Sequence, residues 1–353
     1  MKIAILNDTH CGIRNSSDLF IANADKFYTD TFFPYLVENN INHIVHLGDY
    51  YDNRKYINFR ALNCNRKHFL QPLRELGITM DIIRGNHDTF YKNTGELNSL
   101  KELLGHYMNE INIIHEPTVM EYDGFSLGLV PWIDDENEET TLKFLESAKC
   151  DWLAGHFEIN GYEMMKGIKF DGGLDRKVFQ RFEQVLSGHF HTKSAQGNIK
   201  YLGSQMEFFW NDAHDNKFFH VLDTKTRDLQ AIRNPHTLFH RIRYDDSRDN
   251  YLEYNLDQVD NKFVKIVVIN KSNPYEFDRF VDKVQSCKIL ELKIAENFDE
   301  FIGKNVKDDD ISVEDTSELL YTYVDAVDTD LDKDRIKQEM SSLMIEAQSL
   351  EIA

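Results

Sequence analysis

Met80-Asp81-Ile82-Ile83-Arg84-Gly85-Asn86-His87-Asp88 is the stretch whose reading decides this chain's fold. An apolar run of strand length meets a glycine, and an amide, an imidazole and a carboxylate follow it directly. The same grammar recurs outward in both directions. Upstream, Ile3-Ala4-Ile5-Leu6 leads into Asn7-Asp8-Thr9-His10, and His43-Ile44-Val45-His46-Leu47 into Gly48-Asp49. Downstream, Trp152-Leu153-Ala154 leads into Gly155-His156, and Gln184-Val185-Leu186 into Gly188-His189-Phe190-His191. Leu127-Gly128-Leu129-Val130 before Pro131-Trp132 is a weaker sixth case. Open α/β sheets place binding groups just beyond the carboxyl ends of their strands. Five runs are therefore expected to bring Asp, His and Asn side chains to one sheet edge, as a metal site assembled from the whole chain.

The 353 residues are enough for one large domain and one or two small ones, and 24 Phe with 16 Tyr supply an ample core. No run approaches the length of a membrane span, and Met1-Lys2-Ile3 opens a strand rather than a signal peptide. Cys11, Cys64, Cys150 and Cys287 are scattered without pairing or zinc spacing, which fits a reducing compartment and a cytoplasmic protein. The formal charge of −20 argues against unaided binding to nucleic acid. That charge is concentrated: from Glu296 onward there are 17 acidic residues against 5 Lys or Arg. Bound cations would neutralise ligand carboxylates elsewhere, and a partner can supply the missing positive surface.

Residues 1 to about 225, within a domain expected at 1–235, alternate strand runs with helical patterns near 18–40, 58–76, 95–109, 138–148 and 174–183, the signature of a layered α/β domain. The runs at 199–202, 218–222 and 229–232 are expected as antiparallel strands closing the sheet. Residues 236–296 read as a small α+β module, 297–312 as an acidic linker, and 313–327 with 332–350 as two helices. In the second of these, Ile336, Met340, Leu343, Met344, Ala347 and Leu350 form one apolar stripe at helical spacing.

Asp8, His10, Asp49, Asn86, His156, His189 and His191 are oxygen and nitrogen donors without thiolate, a mixture suited to Mn²⁺, Fe²⁺ or Zn²⁺. They are too many for one ion and about right for two, with Asp49 as the bridging carboxylate. Two cations roughly 3.5–4 Å apart would orient a phosphate and make hydroxide available near neutral pH. His87, beside Asn86, is the candidate to protonate the leaving oxygen. Gly48, Gly85, Gly155 and Gly188 are expected where the chain turns sharply off a strand. Asp52 and Asp88 are expected to orient the ligands rather than bind metal, with Glu158 and Arg54 as weaker candidates for that role.

The blocks Asp8-x-His10, Gly48-Asp49-x-x-Asp52, Gly85-Asn86-His87-Asp88, Gly155-His156 and Gly188-His189-x-His191 resemble those of the calcineurin-like metallophosphoesterases, in the family's order. Asp8-Thr9-His10-Cys11-Gly12 and Tyr201-Leu202-Gly203-Ser204 narrow the likeness to SbcD-type double-strand-break repair nucleases, and Phe157-Glu158-Ile159-Asn160-Gly161 to the recombination endonuclease subunits of T-even-like phages. The resemblance implies a four-layer α/β/β/α sandwich with a small α+β capping domain and a C-terminal helical pair. It implies two divalent metal ions, Mn²⁺ first and Mg²⁺ or Fe²⁺ next. One would be held by Asp8, His10, Asp49 and His191, the other by Asp49, Asn86, His156 and His189, with His87 as proton donor. Some relatives carry His at the position of Asp52.

The same resemblance implies a homodimer joined through helices near 58–76 and 90–109, and an SMC-like ATPase gripping 313–353. The expected activity is a metal-dependent exo- and endonuclease acting on DNA ends in recombination, repair and replication. A phosphatase or small-molecule phosphodiesterase on the same scaffold, and a non-catalytic scaffold, are the alternatives; the module at 236–296 and the tail favour the nuclease. Elsewhere the plainer readings hold. His43, His46, His68, His106, His115, His214, His220, His236 and His240 have no partner at ligand spacing. Phe208, Phe209 and Trp210 are expected to pack rather than stack on bases, and Arg241, Arg243 and Arg248 to be ordinary surface charge.

Overall fold

The computed structural model describes residues 1–165 and 168–296, and beyond them only 324, 332, 333, 335–340 and 343. The linker expected at 297–312 and most of the helical segment expected at 313–353 lie outside the described residues. The chain divides into two compact units, Met1–Thr237 and Leu238–Ala353.

In the first unit the apolar runs become strands: β1 Lys2–Leu6, β2 His43–His46, β3 Thr79–Ile83, β4 Ile111–Ile114, β5 Thr118–Tyr122, β6 Phe125–Val130 and β7 Trp152–Gly155. A short hairpin, β8 Glu163–Met165 and β9 Ile168–Lys169, precedes β10 Gln184–Ser187, β11 Ser194–Gln196, β12 Ile199–Tyr201, β13 Phe218–Asp223 and β14 Asp228–Arg233. Apart from the hairpin they make two sheets, ordered β14-β13-β1-β2-β3-β4 and β11-β12-β10-β7-β6-β5. The single sheet edge expected from the run pattern is therefore two edges, as the four-layer sandwich implied by the resemblance requires.

The reason lies in the strands themselves. Ile3 and Ile5 of β1 point to one face, Ala4 and Leu6 to the other, and all four are buried. Strands apolar on both faces need a layer on each side. Between the sheets, Ile3, Ile5, Val45 and Ile83 pack with Leu127, Leu129, Trp152 and Leu186. Outside the first sheet, Phe27 and Phe32 pack on Phe219, and Phe69 stacks on Phe32. Outside the second, Leu145, Phe157 and Phe179 cover Val185 and Tyr201. Each such side chain contributes about 1.5–3 kcal/mol by leaving water. The result is helices, sheet, sheet, helices.

Helical residues run Asp18–Phe27, Tyr28–Phe32 and Phe33–Glu38, and again Phe59–Asn65, Arg66–Leu70 and Gln71–Glu75, with one wide five-residue turn inside each run. Two other helical expectations shrink. At 95–109 the α-helix spans only Ser99–Leu104, because Asn98 caps its start by accepting the Lys101 N–H. At 174–183 there is one 3₁₀ turn, Arg176–Phe179. Phe179 and Phe182 both bury three positions apart, a spacing that such a turn satisfies. β12 also departs from expectation. It pairs parallel with β10, after a tight turn at Gly197 reverses it from β11, whereas β13 lies between β1 and β14 in the other sheet, antiparallel to both.

The second unit holds a parallel sheet of β15 Phe239–Asp245, β16 Phe263–Asn270 and β17 Glu291–Glu296, with helix Pro274–Gln285 crossing between the last two. Ile242, Tyr244, Ile266 and Val268 pack under Phe277, Phe280 and Val284. Among the described residues, no helix is long and apolar enough to cross a membrane.

Candidate metal centre

The carboxyl ends of β1, β2 and β3 in one sheet and of β7 and β10 in the other open onto a common space. Past the strands the loops stay in register: the Asp8 N–H donates to the Gly48 carbonyl at 2.9 Å, His10 N–H to Asp49 at 3.1 Å, and Gly188 N–H to Gly155 at 3.1 Å. Three sets of donor atoms each lie within 4.8 Å of one another: Asp8, His10 and His191; His10, Asp49 and His87; Asp49, His156 and His189. Asn86 Oδ1 joins the last set, 2.9 Å from His156 Nε2 and 3.0 Å from His189 Nδ1. All seven residues singled out as ligands are thus brought together, and Asp49 stands between the two halves.

Close approach, more than turning, explains the glycines. Gly48 does sit at φ +90°, and a Cβ there would lie 2.7 Å from the Gly85 nitrogen and 2.8 Å from His156 Nδ1. Gly85, Gly155 and Gly188 keep ordinary φ, correcting the expectation of a sharp turn at each. At Gly85 a Cβ would fall 2.1 Å from Asp49 Oδ1. The strain is carried instead by side-chain-bearing residues: Asp8, His10, Asp49 and His189 have φ of 48°, 42°, 54° and 84°. Each costs about 1–3 kcal/mol and persists only where its surroundings demand it.

The hydrogen bonds outside the cluster dictate which atoms face inward. His156 Nδ1–H donates to the Leu47 carbonyl at 2.8 Å, so its Nε2 lone pair faces Asn86 and Asp49 Oδ2, the latter 3.3 Å away. His10 Nδ1 lies 3.2 Å from Asp52 Oδ1, which leaves Nε2 3.1 Å from His191 Nε2. His189 Nε2 lies 3.1 Å from Glu158 Oε1 while Nδ1 faces Asn86. Acceptors crowded against acceptors in a buried space need a proton or a cation between them. Without metal, protons fill that need. Burial opposes a charge on His10, but the Asp52 hydrogen bond and the charges of Asp49, Asp52 and Asp8 outweigh it and push its pKa up to about 9. His156 likewise rises to about 9, burial being overcome by Asp49, Asp8 and the Leu47 carbonyl. Asp49, although buried, is held well below the usual carboxylate range by His156, His87 and His10. Oxygen and imidazole donors with no thiolate, converging on charge of this kind, fit divalent first-row cations.

The supporting residues take distinct places. Asp88 accepts the N–H groups of Gly85, Tyr50 and Tyr51 at 2.8, 3.0 and 3.2 Å, tying the loops after β2 and β3 together; burial and the neighbouring Asp49 push its pKa up to about 7. Asp52 orients His10 and also accepts His87 Nδ1–H at its carbonyl, 2.6 Å away. The His87 N–H donates to Asp49 Oδ1 at 2.8 Å, and burial lowers the pKa of its ring. Arg54 bonds Thr89, in the loop beyond Asp88, rather than a ligand.

Several neighbours escaped sequence reasoning. Trp132, half-buried, packs against His156 and His189 with ring centroids 5.9 and 5.3 Å away. The buried pair Arg84–Asp134, 2.8 Å apart, joins the loop of Asn86 to that of Trp132. Phe208 lies edge-on to His10 and His191. Lys217, buried between Asp212 and Asp215, donates to the His191 carbonyl at 3.0 Å. Only the adjacency of Arg84 to Gly85-Asn86, and of Trp132 to the end of β6, hinted at any of these.

The chain is similar to several known proteins. Over 351 residues the chain is 29% identical to exonuclease subunit 1 of Enterobacteria phage T4, covering 98% of this chain and 99% of that protein. Over 262 residues it is 25% identical to a subunit of the nuclease SbcCD from Staphylococcus epidermidis, covering 65% of this chain and 67% of the other. A solved structure described as a novel archaeal phosphodiesterase shares 16% identity, covers 66% of this chain and 100% of its own, and has a TM-score of 0.35. Residues 1–193 match the calcineurin-like phosphoesterase family. That span is more than half of the chain and takes in every strand that delivers a donor to the centre, so the protein belongs to the calcineurin-like phosphoesterase family.

Proposed function

We propose that this chain is the nuclease subunit of a nuclease–ATPase pair, hydrolysing DNA phosphodiester bonds at or near duplex ends. The observation that carries the reading is the set of inward-facing lone pairs on His10, His156 and His189 around Asp49. A match spanning 98% of the chain to a phage exonuclease subunit supports the choice of DNA over a small phosphate ester. Asp8, His10, Asp49 and His191 hold one divalent ion, and Asp49, Asn86, His156 and His189 the other; Mn²⁺ is our first choice of metal. When bound, such ions neutralise phosphate charge and make hydroxide available near neutral pH.

The chain's own groups do the rest. Asp52 keeps the Nδ1 proton of His87 engaged, so Nε2 is the ring atom that meets the leaving oxygen. Because burial disfavours the imidazolium, His87 releases a proton from Nε2 readily once it holds one. The Phe208 and Trp132 rings wall the two sides and limit water. In this reading residues 1–235 are the nuclease domain and 236–296 a DNA-facing cap. Segment 313–353 binds an SMC-like ATPase that supplies positive surface to a chain of charge −20. Helices near 58–76 and 90–109 join two copies.

The test is cleavage of linear duplex DNA by the purified chain with Mn²⁺, with Mg²⁺ and with chelator, alone and with the ATPase. Mn²⁺-stimulated cleavage, abolished by chelator, is expected. Absence of cleavage in every arm rejects the nuclease reading. His87→Gln should abolish cleavage at unchanged metal content; loss of metal would make His87 a ligand instead.

A further inference from the structure

Every imidazole that faces the centre needs something to hold its far nitrogen, and His189 has a partner that differs in kind from that of its neighbour. His156 uses a main-chain carbonyl, that of Leu47. His189 uses a side chain, with Nε2 3.1 Å from Glu158 Oε1 and Nδ1 turned to Asn86 Oδ1 at 3.0 Å. Its main chain is already committed: at φ 84° its N–H lies 3.1 Å from both carboxylate oxygens of Asp8. Rotation of the ring about its own bonds is therefore the freedom left to it. A flip of the ring about Cβ–Cγ would put Cδ2 where Nδ1 stands and take the donor atom away from Asn86.

Glu158 is built to prevent that flip, which would also take Nε2 away from its acceptor. It follows His156 by two positions, so the loop after β7 delivers one residue to the centre and another to its rim. The Glu158 carbonyl accepts the Leu174 N–H at 2.9 Å, and Ile159 bridges to Leu174. Gly173 packs so closely that a Cβ there would stand 2.4 Å from the Glu158 oxygen. The main chain of Glu158 is thus pinned, while its side chain, about a third exposed, reaches inward from the edge.

We propose that Glu158 is a positioning residue for the second cation position. By accepting the Nε2–H of His189 it keeps Nδ1 as the donor beside Asn86 and Asp49, and does not itself bind the ion. The inference deepens the two-metal reading above and rests on it. Outer partners of this kind typically account for about 10–100-fold in metal affinity.

The experiment is Mn²⁺ titration of the full metal-free chain by calorimetry, with melting of each metal-free variant measured alongside. Wild type should show two binding events. Glu158→Leu should weaken one of them about 10–100-fold and leave the other, with its Asp8, His10 and His191 donors, within about twofold. Glu158→Gln keeps an oxygen acceptor and should lose only a few fold. Equal, severe loss in the Gln and Leu variants would make Glu158 a direct ligand and overturn the proposal. So would two wild-type events in Glu158→Leu, or equal weakening of both events with a lowered melting temperature. Fewer than two events in wild type would instead remove the two-metal reading itself.

Discussion

Strands β2 and β3 carry two His–Asp clusters, one around Asp81 and half-buried, the other past their carboxyl ends and buried, and the two are opposites. At the first, Asp81 Oδ2 accepts from His43 Nε2–H at 2.9 Å and from the Tyr122 hydroxyl at 2.5 Å, while Oδ1 accepts from Asn112 Nδ2 at 2.8 Å. His43 Nδ1 in turn accepts from the Thr79 hydroxyl at 2.7 Å. Donors and acceptors match, and the network ties Asp81 of one sheet to Tyr122 of the other. At the second, around Asp49, acceptors face acceptors. A polar cluster whose partners are complete holds a fold together; one with converging lone pairs is waiting for a cation. Residue types alone do not separate them, since both are made of Asp, His and Asn.

The sharpest way to break this comparison is to exchange a carboxylate at each end. Asp49→Asn should lower phosphodiester hydrolysis by more than about a hundredfold, since the proposed function has both cations share this carboxylate. Asp81→Asn should leave activity per folded molecule within about twofold but lower stability to denaturant by about 2–3 kcal/mol, because an amide cannot satisfy both His43 and Asn112. If Asp81→Asn proves as inactive as Asp49→Asn at unchanged stability, the distinction fails.

Proton traffic provides the next test. His10 and His156 hold protons up to about pH 9 in the metal-free chain, and those protons must leave when an ion binds. Calorimetry in buffers of different ionisation enthalpy should therefore record release of about two protons at pH 7.5. Apparent Mn²⁺ affinity should fall steeply as pH drops from about 8 to 6. No proton release would mean that the lone pairs do not face inward.

Smaller effects sharpen the structural side. Tyr122→Phe removes one of the two donors to Asp81 Oδ2 and should cost about 1 kcal/mol, read from chemical denaturation. His220 offers a third kind of site: buried in β13, with neither ring nitrogen bonded, its pKa is pushed down to about 3 by burial and by Lys193 and Lys200. The unfolded chain therefore takes up a proton that the folded one refuses. Stability from this residue should decline as pH falls from about 6.5 towards 3, by roughly 1.4 kcal/mol per unit. His220→Leu should flatten that part of the acid limb in a denaturation series.

Much of this was legible before any coordinates. Asp8, His10, Asp49, Asn86, His156, His189 and His191 each follow an apolar run, and strand ends in α/β folds are where such residues act, so their gathering followed from local pattern. Phe208, Lys217 and Asp134 were not legible as neighbours of the centre, because each reaches it through a loop whose path no short motif specifies. The shortened helices at Ser99–Leu104 and Arg176–Phe179 show the same limit. There a cap at Asn98 and the burial of Phe179 with Phe182 overrode a broad helical pattern.

What the amino-acid order determined by itself was which apolar runs become the donor-bearing strands and which donor follows each. Tertiary structure alone decided which strands fall in which of the two sheets, since alternation reveals that a face is covered but not by what. It also decided which nitrogen of each imidazole points inward. Leu47, Asp52 and Glu158 make that choice, and a hydrogen bond from a distant stretch of chain has no signature in the residues it orients.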